Sequence, residues 1–185
     1  IADNVMLGSA PHAIYDRGSF FGSPTLAADG ARMLGNRIGV DPGGVRRGAP
    51  TFDGIFAVGN HAVIGGVGAG EGNTIVGAGR AGIRVGTVQG VVMRGNVLAD
   101  NTYLGVSYAG LPPNAAQTPI ANDYSGDYPP QNHPIILAFD ETTQEVAVTL
   151  KSAASTTYAI DVYGVMNPDP SGHGEADVFL GTAEL

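Results

Sequence analysis

The chain has 185 residues, of which 29 are glycine and none is cysteine, so disulfides and thiolate metal sites are excluded. Residues 1–110 carry eight arginines against seven acids, whereas residues 111–185 carry one lysine against ten acids, and this acidic half argues against a nucleic-acid partner. No apolar run approaches the roughly 18 residues that a membrane-spanning helix needs, so no membrane span is predicted.

A Gly-Asn pair followed by a short apolar run recurs within residues 1–110, and its asparagines are separated by 24, 13 and 23 residues. Such a repeat, built from very short strands, is typical of a β-solenoid, in which equivalent positions of successive coils stack. An ordinary glycine-rich β-sandwich is the alternative. The solenoid interpretation predicts these structural corner and ladder residues: Asn36, Asn60, Asn73, Asn96, Gly82 and Gly105.

Glycine and asparagine suit the corners of a coil, because both tolerate the positive φ that a sharp turn often requires. Stacked asparagines also hydrogen-bond along the stacking axis, as amide ladders do. Between corners, alternate side chains point inward, so Arg84 is expected to point outward. The expected inward positions are Ile55, Ala57, Val63, Ile83 and Val85.

One stretch of these repeats matches the dinucleotide-binding fingerprint, since Gly77, Gly79 and Gly82 spell G-x-G-x-x-G. That fingerprint needs a helix directly after the glycines, because the helix N-terminus binds the pyrophosphate. Residues 83–92 are instead β-branched residues punctuated by glycine, and both classes are poor helix formers. We therefore expect a strand after Gly82 and no nucleotide site.

Two segments resemble repeat units of bacterial right-handed β-helix repeat proteins. They are LGNRIGVDPGG at residues 34–44 and GNVLADNTYLGV at residues 95–106. The segment NPDPSGHGEADVFLG at residues 167–181 resembles a motif of the β domain that follows the last coil in that family, with Asn167 where the family usually has cysteine. The resemblance covers about residues 31–185. It implies a right-handed parallel β-helix in a bacterial extracellular or cell-surface protein with no settled activity.

The acidic half divides into two parts. Residues 111–134 are rich in proline, asparagine and tyrosine, and are predicted to be an extended linker. Residues 135–185 are predicted to form a small, half-buried antiparallel domain resembling a β-sandwich. Its strand candidates are Ile135–Phe139, Glu145–Leu150, Thr157–Val165 and Ala176–Thr182. An immunoglobulin-like sandwich has about seven strands, so this domain is expected to be incomplete, and its open edge invites pairing with another chain.

These features predict a non-catalytic extracellular structural or adhesive protein that self-associates or joins a larger cell-surface or filamentous assembly. The chain begins at Ile1 without an initiator methionine, so a processed chain or a piece of a longer one is expected. The expected partners are copies of the chain itself or the rest of a longer chain, with cell-surface glycan as a further option.

The alternatives are a polysaccharide lyase, a polysaccharide hydrolase or a glycan-binding module. The two enzymes need clustered or paired carboxylates, whereas the seven acids of residues 1–110 are scattered. A tyrosine cluster favours glycan stacking or, alternatively, packing against the linker: Tyr103, Tyr108, Tyr124 and Tyr128. No catalytic residue, cofactor or metal site is predicted. The loop Asn167–Asp177 is expected to be a structured turn, with calcium binding through Asp169, Glu175 and Asp177 left open.

Overall fold

The structure is a computed structural model that describes residues 1–8, 12–16, 29–109, 134–168 and 175–185. Every regular element in those ranges is a strand, which confirms the all-β prediction. The described part of the chain accordingly offers no helix able to cross a membrane. The strands are β1 (Val5–Met6), β2 (Ile14–Asp16), β3 (Arg32–Met33), β4 (Arg37–Ile38), β5 (Ile55–Ala57), β6 (Val63–Gly65), β7 (Thr74–Val76), β8 (Ile83–Val85), β9 (Val92–Arg94), β10 (Val97–Ala99), β11 (Val106–Tyr108), β12 (Ile135–Asp140), β13 (Glu145–Thr149), β14 (Ala159–Gly164) and β15 (Val178–Glu184).

Strands β1 to β11 form three parallel sheets. The first sheet has the order β1-β4-β7-β10, the second β2-β5-β8-β11 and the third β3-β6-β9. The chain therefore visits the three sheets in a fixed rotation, and each strand pairs with the strand three places later. This register stacks like residues, so that Ile38 pairs with Ile75 and Ile75 pairs with Leu98.

The core lies on the side of these sheets where the stacked aliphatic residues meet. Ile83 and Val85 are buried while Arg84 between them is partly exposed, as the alternation predicts. The expectation for Val63 is wrong by one residue, because Ile64 is the fully buried position. The turn that leads into β6 contains His61 with a φ of 54°. The buried core residues are Ile14, Met33, Ile38, Ile55, Ala57, Ala62, Ile64, Ile75, Ile83, Val85 and Leu98.

The short strand after Gly82 explains why the fingerprint glycines are present without a helix. Gly77 adopts a left-handed φ of 74°, which suits glycine because it has no Cβ to clash. Strand β8 begins directly after Gly82, so the glycines separate β7 from β8, and the sequence expectation of a strand is confirmed.

The last four strands form two pairs. Strands β12 and β13 make an antiparallel hairpin, whose turn is held by Asp140 Oδ1 accepting the N–H groups of Thr142 and Thr143 at 2.8 and 3.1 Å. Strands β14 and β15 pair with each other. The predicted half-buried face is absent from β12, where all six residues are exposed, because no described element of its own unit packs over it.

The chain folds into two compact units. Among described residues, the first unit holds 1–109 together with 161–168 and 175–181, and the second holds 134–160 and 182–185. A stretch of the acidic half thus belongs to the unit that contains the parallel sheets. The predicted linker at residues 111–134 lies outside the described residues, apart from Pro134.

Candidate functional site

A ladder of asparagine side chains runs along the parallel sheets, directly before the strands of the first sheet. Asn4 Nδ2 donates to Asn36 Oδ1 at 3.1 Å, Asn36 Nδ2 donates to Asn73 Oδ1 at 2.9 Å, and Asn73 Nδ2 donates to Asn96 Oδ1 at 2.8 Å. Each of these Oδ1 atoms also accepts the backbone N–H of the preceding asparagine, at 2.9 to 3.2 Å. In all of these bonds the asparagine that comes earlier in the sequence donates and the later one accepts, so the ladder is directional.

The ladder crosses the interior of the unit, where an unpaired amide is costly. Asn36 and Asn73 are fully buried. The amides also donate to backbone carbonyls, as when Asn73 bonds Met33 O and Asn96 bonds Ile64 O, both at 2.8 Å. The buried rungs of the ladder therefore form a satisfied polar network, which fixes the register between the parallel strands.

Asn60 is placed apart from this ladder. It lies in an exposed turn, and its Oδ1 accepts the N–H of Gln89 at 3.0 Å. The ladder spacings are consequently 37 residues from Asn36 to Asn73 and 23 from Asn73 to Asn96.

Gly82 and Gly105 stand directly before β8 and β11, at equivalent positions of the second sheet. The N–H of Ile83 donates to Gly105 O at 2.8 Å. A Cβ on Gly82 would lie 2.9 Å from Gly105 O and 3.0 Å from Asn101 Nδ2. Neither glycine adopts a positive φ, so close packing, and not turn geometry, favours glycine here: Gly82 approaches the backbone at Gly105, and Gly105 approaches the Leu98 side chain.

Two functional asparagines were missed because no glycine precedes them. Asn4 follows Asp3 with a φ of 53°, and Asn101 follows Asp100 with a φ of 52°. Asn101 Oδ1 accepts the N–H of Ala78 at 2.9 Å. This bond begins a second, shorter series of backbone-to-side-chain hydrogen bonds beside the ladder. A search for Asp-Asn together with Gly-Asn would have found both, because aspartate also tolerates the left-handed conformation.

A second cluster lies on the side of the second sheet that faces away from the core. The register places Tyr15 beside Phe56, and Phe56 beside Arg84. Tyr15 and Phe56 stack with their ring centroids 5.3 Å apart. The His12 ring is 5.5 Å from Tyr15, 5.4 Å from Phe56 and 5.6 Å from Phe52. We call these four rings, together with the nearby charged groups, the aromatic face.

The charged centre of the aromatic face is Asp53, which is only 1% exposed. Its Oδ1 accepts the N–H of Ala81 at 3.2 Å. Its Oδ2 lies 3.4 Å from His12 Nδ1 and 4.0 Å from Arg84 Nη1. Within the described part of the chain, the buried atoms His12 Nδ1, Asp53 Oδ2 and Arg84 Nε have no hydrogen-bond partner.

The electrostatics of this cluster favour a neutral imidazole. Burial lowers the pKa of His12 below its ordinary 6.5, and the positive charges of Arg80 and Arg84 lower it further, although Asp53 opposes them. The two guanidinium groups lie over rings, Arg80 at 4.2 Å from the Phe52 centroid and Arg84 at 5.2 Å from the Phe56 centroid. The exposed ring of Tyr15, with Phe56 stacked beside it, suits a ligand that has apolar faces.

No group of three His, Asp or Glu side chains within the described ranges is arranged to hold a metal ion. In the loop Asn167–Asp177, which is expected to be a structured turn, the Glu175 carboxylate accepts two bonds from Asn101, and Asp177 Oδ2 accepts the N–H groups of Met166 and Asn167. The third candidate, Asp169, lies outside the described residues.

The predicted tyrosine cluster is only partly described. Tyr108 packs against the core, and the Tyr103 N–H donates to Arg80 O at 3.1 Å. Tyr124 and Tyr128 lie outside the described residues.

No protein-family model, curated protein or solved structure matches the chain. Its function must therefore be inferred from the asparagine ladder and the aromatic face themselves.

Proposed function

We propose that residues 1–109 form a right-handed parallel β-helix, and that the chain is a non-catalytic structural or adhesive protein of an extracellular or cell-surface assembly. The rotation of the strands through three parallel sheets supports the β-helix. The single observation that carries the structural role is the asparagine ladder, because it uses the interior polar groups to hold coils in register. The resemblance to bacterial β-helix repeat proteins supports the location.

The association surface is the edge formed by the first strands. Strands β1, β2 and β3 stand at one end of their sheets, and each has one partner among the strands that the structure describes. Exposed apolar residues lie beside β1, and Val5 within it is 43% exposed. An uncovered strand edge is a template for pairing with another strand. The partner strand comes from another copy or from the rest of a longer chain.

Sedimentation of the purified chain over a wide concentration range, with electron microscopy of the same samples, tests this association. Val5→Lys places a charge in the edge strand and is expected to weaken association. Val67→Lys is the matched control, because Val67 is exposed at 52% and lies outside the strands. The proposal is contradicted if the chain stays monomeric at every concentration, both as the wild type and after substitutions that uncover the last strands of the parallel sheets.

Glycan binding is the second candidate function, and the aromatic face favours it. Tyr15 is 43% exposed and stacks in register with Phe56, and sugars present apolar ring faces to such aromatic groups. The Arg84 side chain lies beside Phe56 and is 28% exposed, so its guanidinium carries donors for the hydroxyl groups of a sugar.

A glycan array with the wild-type chain and Tyr15→Ala tests this candidate. Phe139→Ala is the control, since Phe139 is an exposed ring on β12. Binding lost with Tyr15→Ala but kept in the control supports the aromatic face, and equal binding by both variants excludes it. Analysis of the bound glycans for new reducing ends or unsaturated products separates binding from lyase or hydrolase activity.

A further inference from the structure

The last coil of the parallel sheets is covered by the chain segment that follows it. Strand β10 is the edge of the first sheet, and the N–H of Leu98 donates to Ala176 O at 2.9 Å. The groups that would pair with a next coil are therefore already bonded at this point. Residues 161–168 and 175–176, which we call the cap, belong to the same compact unit as the sheets.

The strongest cap contact is an ion pair. Arg94 Nε donates to Asp161 Oδ2 at 2.8 Å, and Arg94 Nη2 donates to Asp161 Oδ1 at 2.6 Å. This bidentate geometry is the strong, directional form of an arginine–carboxylate pair. Asp161 Oδ2 also accepts the N–H of Gly95 at 3.1 Å. One carboxylate therefore bonds both Arg94, the last residue of β9, and Gly95, which follows it.

The cap also replaces the next rung of the ladder. In each earlier rung the backbone N–H of an asparagine donates to the Oδ1 of the next asparagine. At the last rung the backbone N–H groups of Gly95 and Asn96 both lie against the hydroxyl of Tyr163 instead. The Tyr163 ring is held in place by Phe179, with the centroids 5.4 Å apart.

The second series of hydrogen bonds, which begins with Ala78 and Asn101, ends in the same way. The N–H of Ala78 donates to Asn101 Oδ1 at 2.9 Å. One coil later, the N–H of Asn101 donates to Glu175 Oε2 at 2.8 Å, and Asn101 Nδ2 donates to Glu175 Oε1 at 2.9 Å. Tyr163 and Glu175 thus both supply the oxygen that a further asparagine would supply.

The opposite end of the ladder has complementary chemistry. Asn4 is the first rung, and none of the described residues donates to its Oδ1. The first rung therefore presents an acceptor, and the last rung presents donors that the cap occupies. The nearby Ile1, Val5 and Leu7 side chains are 65%, 43% and 50% exposed, which adds apolar surface for a stacked partner.

We infer that the cap is an autoinhibitory contact, and that the end it covers is an interface for the first coil of a second copy. When the cap lifts, the Asn96 N–H is free to donate to Asn4 Oδ1 of the next copy, which continues the ladder across the junction. This head-to-tail contact is heterologous, so repeating it gives a filament. The inference rests on the proposed self-association and adds the contact that limits it.

The test weakens the cap without disturbing the core. Tyr163→Phe removes only the hydroxyl and keeps the ring, and Asp161→Asn with Glu175→Gln removes the charges. The triple variant is expected to shift from the wild-type species to long polymers in sedimentation and electron microscopy. The control combines Tyr158→Phe, Glu145→Gln and Glu184→Gln, which make similar chemical changes away from the cap, and it is expected to sediment like the wild type.

A second substitution identifies the interface. Adding Asn4→Ala to the triple variant removes the acceptor of the first rung, so polymers are expected to disappear. Tyr163→Phe alone, checked for folding by circular dichroism, is expected to give the same polymers in smaller amount, which keeps the test valid if the triple variant unfolds.

The outcomes separate the two proposals. A wild-type chain that associates while the cap variants behave identically overturns the cap but leaves the proposed association intact. Polymers that persist with Asn4→Ala overturn the head-to-tail interface. If neither the wild type nor any folded cap variant associates, both proposals fail.

Discussion

The side chain of Asn36 donates to Asn73 Oδ1 at 2.9 Å, across 37 residues of sequence and within the buried interior. The same Oδ1 accepts the backbone N–H of Asn36, also at 2.9 Å. One amide therefore fixes both the side chain and the backbone of Asn36, which precedes the neighbouring strand. Buried networks of this kind specify a single arrangement only when each member is paired, and the buried rungs Asn36 and Asn73 meet that condition.

Asn73→Ala is expected to be the most damaging single change in the ladder. It removes the acceptor for Asn36 and the donor to Met33 O and Asn96 Oδ1. Buried polar groups left unpaired cost about 1–3 kcal/mol each, so the free energy of unfolding should fall by roughly 2–5 kcal/mol. Urea unfolding followed by circular dichroism measures the loss.

Asn60→Ala is the matched control for the ladder, since Asn60 is exposed and accepts one bond from Gln89. Its expected loss is below about 1 kcal/mol, in the range of a single exposed hydrogen bond. Equal losses for the two variants would show that the stacked amides contribute no more than an ordinary turn residue.

Gly82→Ala tests the close approach of the chain before β8 to the chain before β11. The new Cβ would lie 2.9 Å from Gly105 O and 3.1 Å from Leu98 Cδ2, so these two segments must separate to admit it. Overpacking of this kind costs about 1–3 kcal/mol. Gly48→Ala is the control, because its Cβ meets nothing nearer than 3.7 Å. A thermal midpoint lowered equally in both variants contradicts the steric explanation.

The repeat pattern was readable from the sequence because it depends on local chemistry. Glycine or asparagine at sharp corners and β-branched residues between them predict short strands, and the alternation of Ile83, Arg84 and Val85 is observed. Asn60 shows the limit of the pattern. Its Gly-Asn pair looks like the others, but a place in the ladder depends on the number of residues between paired strands of the first sheet.

The aromatic face and the cap were not predictable in the same way. Asp53 and Arg84 are 31 residues apart, and only the pairing of β5 with β8 brings them together. Likewise Arg94 and Asp161 are separated by 67 residues, across a boundary where the composition changes. Such contacts depend on how distant segments are arranged in the tertiary structure, which a local sequence pattern does not reveal.

The His12 imidazole predicts a pH dependence of stability. Its pKa is lowered in the folded chain, chiefly by burial, so the unfolded chain takes up the proton first as the pH falls. The contribution of the neutral His12 imidazole to the free energy of unfolding is therefore fully present above the ordinary pKa of 6.5. It decreases as the pH drops from there toward the lowered pKa of the folded chain. His12→Asn should flatten the pH dependence of the urea midpoint between about pH 7 and 5. An unchanged dependence in that variant contradicts the assignment to His12.

The Tyr163 hydroxyl predicts a second dependence, at alkaline pH. Burial, followed by the nearby charge of Asp161, raises the pKa of Tyr163 to about 12 from 10.0. The unfolded chain thus loses this proton first, so the stabilisation is complete below about pH 10 and is lost as the pH rises through the folded value. Absorbance titration of tyrosinate should show a late step near pH 12, which Tyr163→Phe removes. If the late step survives in Tyr163→Phe, another phenol carries it, and the assignment of the Tyr163 hydroxyl to the buried end of the ladder is wrong.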